Sequence, residues 1–271
     1  MIQLRTITLA PGVATDAQAY PFSVAAIQSL AGRSLEFTAP VTFLIGENGS
    51  GKSTLLEAIA CAARMITVGS ADAEVDTTLA SVRRLAAQLR LSWARRTRRG
   101  FFMRAEDFFG YARRMREIRE GLERDLADVD TAFAGSSDLA RSLARMPHQR
   151  ELHEIRRRYG EDLDQASHGE SFFTLFNARF VPDGLYLLDE PEAPLSPMRQ
   201  IGLLARMKEL VDQQGAQFLV ATHSPILMAY PDALIYSFDD GRIAPIAYAD
   251  TEHARVTREF LSAPERFLRH I

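Results

Sequence analysis

Eight consecutive residues, Gly46-Glu47-Asn48-Gly49-Ser50-Gly51-Lys52-Ser53, have the types and spacing of a loop that wraps phosphate, GxxxxGK[ST]. Glycines let the backbone turn tightly enough for several N–H groups to converge on phosphate oxygens. Lys52 offers a cation to the β/γ phosphates of a nucleotide, and the Ser53 hydroxyl is placed to ligate Mg²⁺. The nucleotide-binding set expected from this run extends from Gly46 to Thr54. An apolar strand, Val41 to Ile45, leads in. The stripe Leu55, Leu56, Ile59, Ala60 and Ala63 leads out as a helix, whose N-terminus adds favourable partial charge.

A second apolar strand ends in two acids, Leu187-Leu188-Asp189-Glu190. Asp189, at the strand's carboxyl end, is suited to hold Mg²⁺ through water as the second anchor of a nucleotide site. Glu190 is then close enough to polarise an attacking water. A third run, Phe218-Leu219-Val220-Ala221-Thr222, ends at His223. A lone histidine is more often structural or simply exposed. This one follows a strand's carboxyl end, where ligands of open α/β sheets collect, so it could bond a γ-phosphate and orient the water.

These residues need a scaffold, and the rest of the chain reads as one. Short apolar runs at 41–45, 186–188 and 218–221 suit parallel strands covered on both faces, alternating with helices such as Met198 to Val211. That pattern predicts an α/β class with a mostly parallel core sheet and right-handed crossovers. Ile2 to Leu9 and Ser34 to Thr38 read as strands of an antiparallel edge. Ala233 to Phe238 and Ile243 to Tyr248 flank a hairpin turn at Asp239-Asp240-Gly241, and a terminal helix is expected near Thr251. The middle is helix-patterned: Val75 to Arg96, Glu106 to Asp130, Leu139 to Arg145 and Leu152 to Tyr159. Gly100, Gly135-Ser136-Ser137 and Met146-Pro147 punctuate it, and Phe101-Phe102-Met103 suits a short strand. The expected organisation is one domain, 1–271, with an α/β core at 1–75 and 180–271 and an inserted helical subdomain at 76–179.

Composition narrows the class. With 46% hydrophobic and 25% charged residues over 271 positions, a disordered or fibrous chain is excluded. A net charge of -3 excludes a globally basic nucleic-acid binder. One cysteine, Cys61, cannot make an internal disulfide, so a reducing compartment is expected. No secretory signal opens the chain and no long apolar run spans a bilayer, which together predict a cytoplasmic protein. Charge is uneven: between Arg83 and Arg158 nineteen arginines face eleven acids, leaving the flanks acidic. Arg95, Arg96, Arg98 and Arg99 cluster densely, followed by Arg113, Arg114, Arg116 and Arg156 to Arg158. Either these are solvated helix faces, partly neutralised by Glu117, Glu120, Glu123 and Asp125, or some form a surface for nucleic acid or an acidic partner protein.

In order and spacing, the phosphate loop, Asp189-Glu190 and His223 resemble the ATP-binding cassette (ABC) superfamily of P-loop ATPases. That family carries a Ser-Gly-Gly-Gln-like signature shortly before the acidic strand. Ser167-His168-Gly169-Glu170 occupies the place, with His168 and Glu170 departing from the pattern and Ser167 and Gly169 keeping it. The loop wording Gly-Glu-Asn-Gly-Ser-Gly-Lys-Ser-Thr-Leu-Leu-Glu-Ala-Ile is similar to the SMC, RecF and OLD-type branch. Asp189-Glu190-Pro191-Glu192-Ala193, Leu195-Ser196-Pro197 and Thr222-His223-Ser224-Pro225 point the same way. The whole chain resembles the small predicted ATPases of that branch that lack a long coiled coil. The resemblance implies ATP and Mg²⁺ as cofactors, with Lys52, Ser53 and Asp189 holding nucleotide and metal, Glu190 as general base and His223 at the γ-phosphate. It also implies an ATP-dependent head-to-tail homodimer, each nucleotide capped by Ser167 and Gly169 of the other copy, acting in DNA-related or defence processes. A transporter subunit and an ATP-binding regulatory module with little turnover are the competing readings. Relatives also carry a Mg²⁺-sensing glutamine after the first core helix. The comparable stretch here lacks one, leaving Arg104, Glu106 or the earlier Gln88. Tyr20 or Phe22 are the candidates for stacking on adenine.

Overall fold

The computed structural model describes residues 1–10, 19–68, 79–159 and 179–269. They form two compact units, Met1–Ala105 with Val181–Ile271, and Glu106–Phe180.

The first unit holds two sheets. β1 (Leu4–Leu9) is the central strand of a three-stranded antiparallel sheet between β2 (Ser34–Glu36) and β4 (Leu89–Trp93). The second sheet has the order β5-β6-β7-β3-β8-β9, with β5 at Gly100–Arg104, β6 at Leu185–Asp189, β7 at Gln217–Ala221 and β3 at Val41–Ile45. β8 (Leu234–Ser237) continues the parallel set and β9 (Ala244–Pro245) closes it antiparallel. Every residue of β3, β6 and β7 is buried, which is why these strands read as unbroken apolar runs rather than alternating ones. The two sheets are tied by Gln217, whose side-chain oxygen accepts from Gln3 N at 2.9 Å and Leu4 N at 2.8 Å while its Nε2 donates to Leu4 O at 2.9 Å. Buried amides tolerate removal from water only when bonded in this way.

α1 (Ala25–Gln28) precedes β2, and α2 (Lys52–Ala63) follows β3. Leu55, Leu56, Ala58, Ile59 and Ala60 of α2 are fully buried, so this helix is enclosed by core rather than laid on a surface. α3 (Arg83–Ala86) leads into β4. The second unit contains α4, whose helix runs Ala105–Ala132, and α5 (Asp138–Tyr159), where Leu122 and Leu152 bury one another with Leu126 alongside. After β6 come α6 (Pro197–Gln214), the short α7 (Pro225–Met228), α8 (Glu252–Ser262) and α9 (Pro264–Leu268).

Three expectations are corrected. The helix expected over Val75 to Arg96 is reduced, within the described residues, to the single turn α3, and Leu89–Trp93 is a strand. Leu79, Val82, Leu85 and Leu89 do have helical spacing, but the backbone of 89–93 satisfies its hydrogen bonds against β1 instead, a long-range pairing that overrides local pattern. Consequently the boundary at 76 moves: the described residues of 79–105 belong to the first unit, and the second begins at Glu106. Met146-Pro147 does not break the middle, because α5 carries Pro147 inside it. A proline there forfeits one helical hydrogen bond. The Arg145–Asp130 ion pair at 2.8 Å holds the adjacent turn of α5 to α4. The β5 strand, the 234–245 hairpin and the helix after Thr251 stand as expected, whereas the strands expected as an antiparallel edge, β1 and β2, form a separate sheet with β4.

Candidate functional site

Five parallel strands end along one edge of the larger sheet, and each delivers a polar residue there. β3 passes into the 46–51 loop, β6 ends at Asp189, β7 is followed by His223, β8 by Asp239, and β5 ends at Arg104. Parallel registry makes this a single place: Asp189 lies opposite Ala221, Leu44 opposite Ala221, and Arg104 opposite Asp189. Ligands of open α/β sheets collect outside such carboxyl ends.

Glu47, Asn48 and Gly49 form the exposed crown of the loop, while Gly46 and Gly51 are buried at its base. Gly51 caps α2 with φ 105°, and a Cβ there would sit 2.6 Å from Val24 Cγ1, so neither backbone nor space admits a side chain. No side chain caps α2 and no acid stands in its first turn. Its leading N–H groups and the positive end of its dipole are therefore left to an anion. Lys52 is buried, its Nζ donating to Gly46 O at 2.7 Å and Glu47 O at 3.0 Å. Burial pulls its pKa below the usual lysine value, against the opposing pull of Glu190, Asp189, Asp239 and Glu47. Thr54 is buried and its hydroxyl meets Tyr20 OH at 3.2 Å. Ser50 Oγ is buried without a hydrogen-bond partner among the described residues.

Ser53 Oγ donates to Asp189 Oδ1 at 3.0 Å, joining residues 136 positions apart. Asp189 is 7% exposed, and burial pushes its carboxyl up to about 7, with Glu57 and Glu190 adding to the rise and Ser53 and Lys52 opposing it. Glu190 takes a left-handed backbone conformation, φ 50°, and donates its N–H to Ala221 O at 2.9 Å. That conformation costs an L-residue roughly 1–2 kcal/mol. It turns the chain sharply at the strand end. His223 donates its N–H to Glu192 Oε1 at 2.7 Å, and its Nδ1 lies 3.2 Å from His253 Nε2. Its Nε2 is buried without a hydrogen-bond partner among the described residues. Burial, then Lys52 and His253, lower its pKa, so the ring is neutral near neutral pH.

The described residues Gly46 to Thr54, Asp189, Glu190 and His223 are thus brought to one edge. Ser167 and Gly169 lie outside the described residues, as do the side chains of Arg114, Arg116 and Arg156 to Arg158. Of the glutamine substitutes, Arg104 is level with Asp189, buried, with Nη1 3.6 Å from Glu57 Oε1. Gln88 sits in an exposed turn and Glu106 is exposed in the second unit. Phe22 is core, beneath Arg84, whereas Tyr20 is exposed and reaches Thr54.

Three residues join the site unforeseen. Asp239 Oδ1 accepts from Glu47 N at 3.2 Å, with Ser237 bonded to its other oxygen, and so pins the phosphate loop. Glu192 and His253 hold His223. Asp239 was legible only as a turn residue, and His253 carried no local signal.

A family model described as an AAA domain matches residues 23–64, the stretch that holds the loop and α2. The chain has a mixed α/β fold with a mostly parallel sheet. Several solved structures are similar over nearly the whole chain. The Pyrococcus furiosus Smc head domain, bound to the C-terminal domain of ScpA, is 13% identical, with 96% of this chain and 100% of that chain covered and a TM-score of 0.46. The Smc head domain of Thermotoga maritima is 16% identical over 91% and 100%, at a TM-score of 0.40. An ATP-binding cassette of an ABC transporter, in its ADP conformation, is 18% identical over 95% and 99%, at 0.48. A search of curated proteins returns no match. Among the described residues, no helix is long and apolar enough to cross a membrane.

Proposed function

We propose that the chain binds ATP with Mg²⁺ and hydrolyses it to ADP and phosphate. The observation that carries this reading is the Ser53–Asp189 hydrogen bond, which sets a hydroxyl and a carboxylate side by side next to a buried lysine and an uncapped helix N-terminus. Those two oxygens suit Mg²⁺, a hard cation that takes few protein ligands and keeps several waters. When bound, Mg²⁺ neutralises charge on the phosphate oxygens. The loop N–H groups and Lys52 bind the phosphates, Glu190 accepts a proton from the attacking water, and His223 Nε2 donates to the γ-phosphate. Tyr20, exposed and with its hydroxyl 3.2 Å from that of Thr54, is the proposed neighbour of the adenine.

Turnover should require Mg²⁺ and vanish with a chelator. Because the Asp189 carboxyl is held at about 7, cation binding expels its proton, so apparent Mg²⁺ affinity should fall as pH drops below about 7. Calorimetry in buffers of different ionisation enthalpy measures that proton release. Mg²⁺-independent turnover, or none at any pH, would sink the reading.

The cycle is proposed to close and open a head-to-tail dimer, with Ser167 and Gly169 of each copy on the other's nucleotide. Among the arginines, several are occupied: Arg95 bonds Asp183 at 3.2 Å, Arg99 reaches Pro182 O, and Arg113 pairs with Glu117. Arg96 and Arg98 are exposed and make no ion pair among the described residues. A polyanion surface would centre on them. Reversing both to Glu should weaken binding of duplex or single-stranded DNA at low salt roughly tenfold or more and flatten its salt dependence, with nucleotide affinity intact. A fluorescence titration without change would leave them as solvated side chains.

A further inference from the structure

Both rings of the His223–His253 pair are held by their backbones. His223 is anchored through its N–H on Glu192 Oε1. His253 is the second residue of α8, whose cap, Thr251, is fully buried, accepts from Ala254 N at 3.3 Å and donates to Tyr248 O at 2.8 Å. The ring centroids are 5.3 Å apart and tilted by 53°. The groups that face His223 are Lys52 from α2, Glu47 from the loop, Glu190 after β6 and His253 from α8, with Glu192 on its backbone. A hydrogen bond between Nδ1 of His223 and Nε2 of His253, 3.2 Å apart, carries one proton. If His223 donates, its buried Nε2 is a bare acceptor. If His253 donates, Nε2 of His223 carries the hydrogen. A phosphate oxygen only accepts, so a histidine serving it must present N–H.

We propose that His253 is the positioning residue of His223: its Nε2–H donates to Nδ1 and fixes His223 as the tautomer with hydrogen on Nε2. This rests on the reading of the strand-end site as an ATP site, and it makes the first turn of α8 part of that site's support. Second-shell partners of this type set the orientation and tautomer of histidines that touch charged ligands.

The test uses three variants of the full chain and two readouts. His253→Gln keeps an N–H where the imidazole Nε2 stood, His253→Glu offers only acceptors, and His253→Phe offers neither. Side-chain ¹⁵N spectra should show His223 protonated on Nε2 in the wild type and in His253→Gln, and on Nδ1 in His253→Glu. The kcat for ATP should fall about 10- to 100-fold in His253→Glu and His253→Phe and recover in His253→Gln, with KM little changed. A wild-type His223 protonated on Nδ1, or a tautomer indifferent to His253→Glu, overturns the proposal, as does wild-type kcat in His253→Phe. If the wild type does not turn over Mg-ATP, the ATPase reading fails, while the nitrogen spectra still decide the tautomer.

Discussion

Lys52→Ala should lose ATP. The side chain is buried at the root of the loop, held over Gly46 O and Glu47 O, and it is one of only two lysines in the chain. Removing a desolvated cation from the phosphates leaves their charge uncompensated, a loss of about 2–5 kcal/mol, or roughly thirtyfold or more in Kd. The fold should survive, because Lys52 Nζ bonds only carbonyls of its own loop, one of them on the exposed Glu47. Equilibrium binding of a fluorescent ATP analogue measures the loss, and a thermal melt checks the fold. Unchanged affinity in a folded variant would mean that the loop does not hold nucleotide.

Glu190→Gln should uncouple binding from cleavage. The amide keeps the size of the side chain and its place after the left-handed turn at the end of β6, but it cannot take a proton from water. General-base loss lowers turnover about 10²- to 10⁴-fold. ATP affinity should change only a few-fold, because Lys52, Ser53 and Asp189 remain. If hydrolysis is what reopens a nucleotide-closed dimer, this variant should accumulate the dimer with Mg-ATP, visible by light scattering. Ser167→Arg in the same background should abolish it. A persistent monomer at high concentration, indifferent to Ser167→Arg, would count against the two-copy site, and unimpaired turnover would remove Glu190 from the chemistry.

The candidate site was legible where it is local. A phosphate loop works through backbone N–H groups of adjacent residues, so Gly46 to Ser53 had to appear as one string. Asp189-Glu190 and His223 were legible for a related reason. They follow fully buried strands, whose unbroken apolar runs mark where each strand stops and a ligand edge begins.

What the tertiary structure decided is whatever depends on which distant segments meet. Leu89–Trp93 had a helix-compatible spacing, and only its pairing along the side of β1 opposite β2 made it a strand. Asp239 became a support of the phosphate loop because β8 pairs in parallel with β3, carrying a turn acid to Glu47 N over a separation of 192 residues. Arg104, rather than Gln88 or Glu106, came level with Asp189 through the registry of β5 on β6. His253 reached His223 because a buried threonine cap fixes the start of α8. None of these has a local signature, since strand registry and helix docking are set by the burial of side chains far apart in sequence. The amino-acid order by itself specified the glycine-rich loop and the acidic strand end. Long-range packing chose the residues that hold them in place.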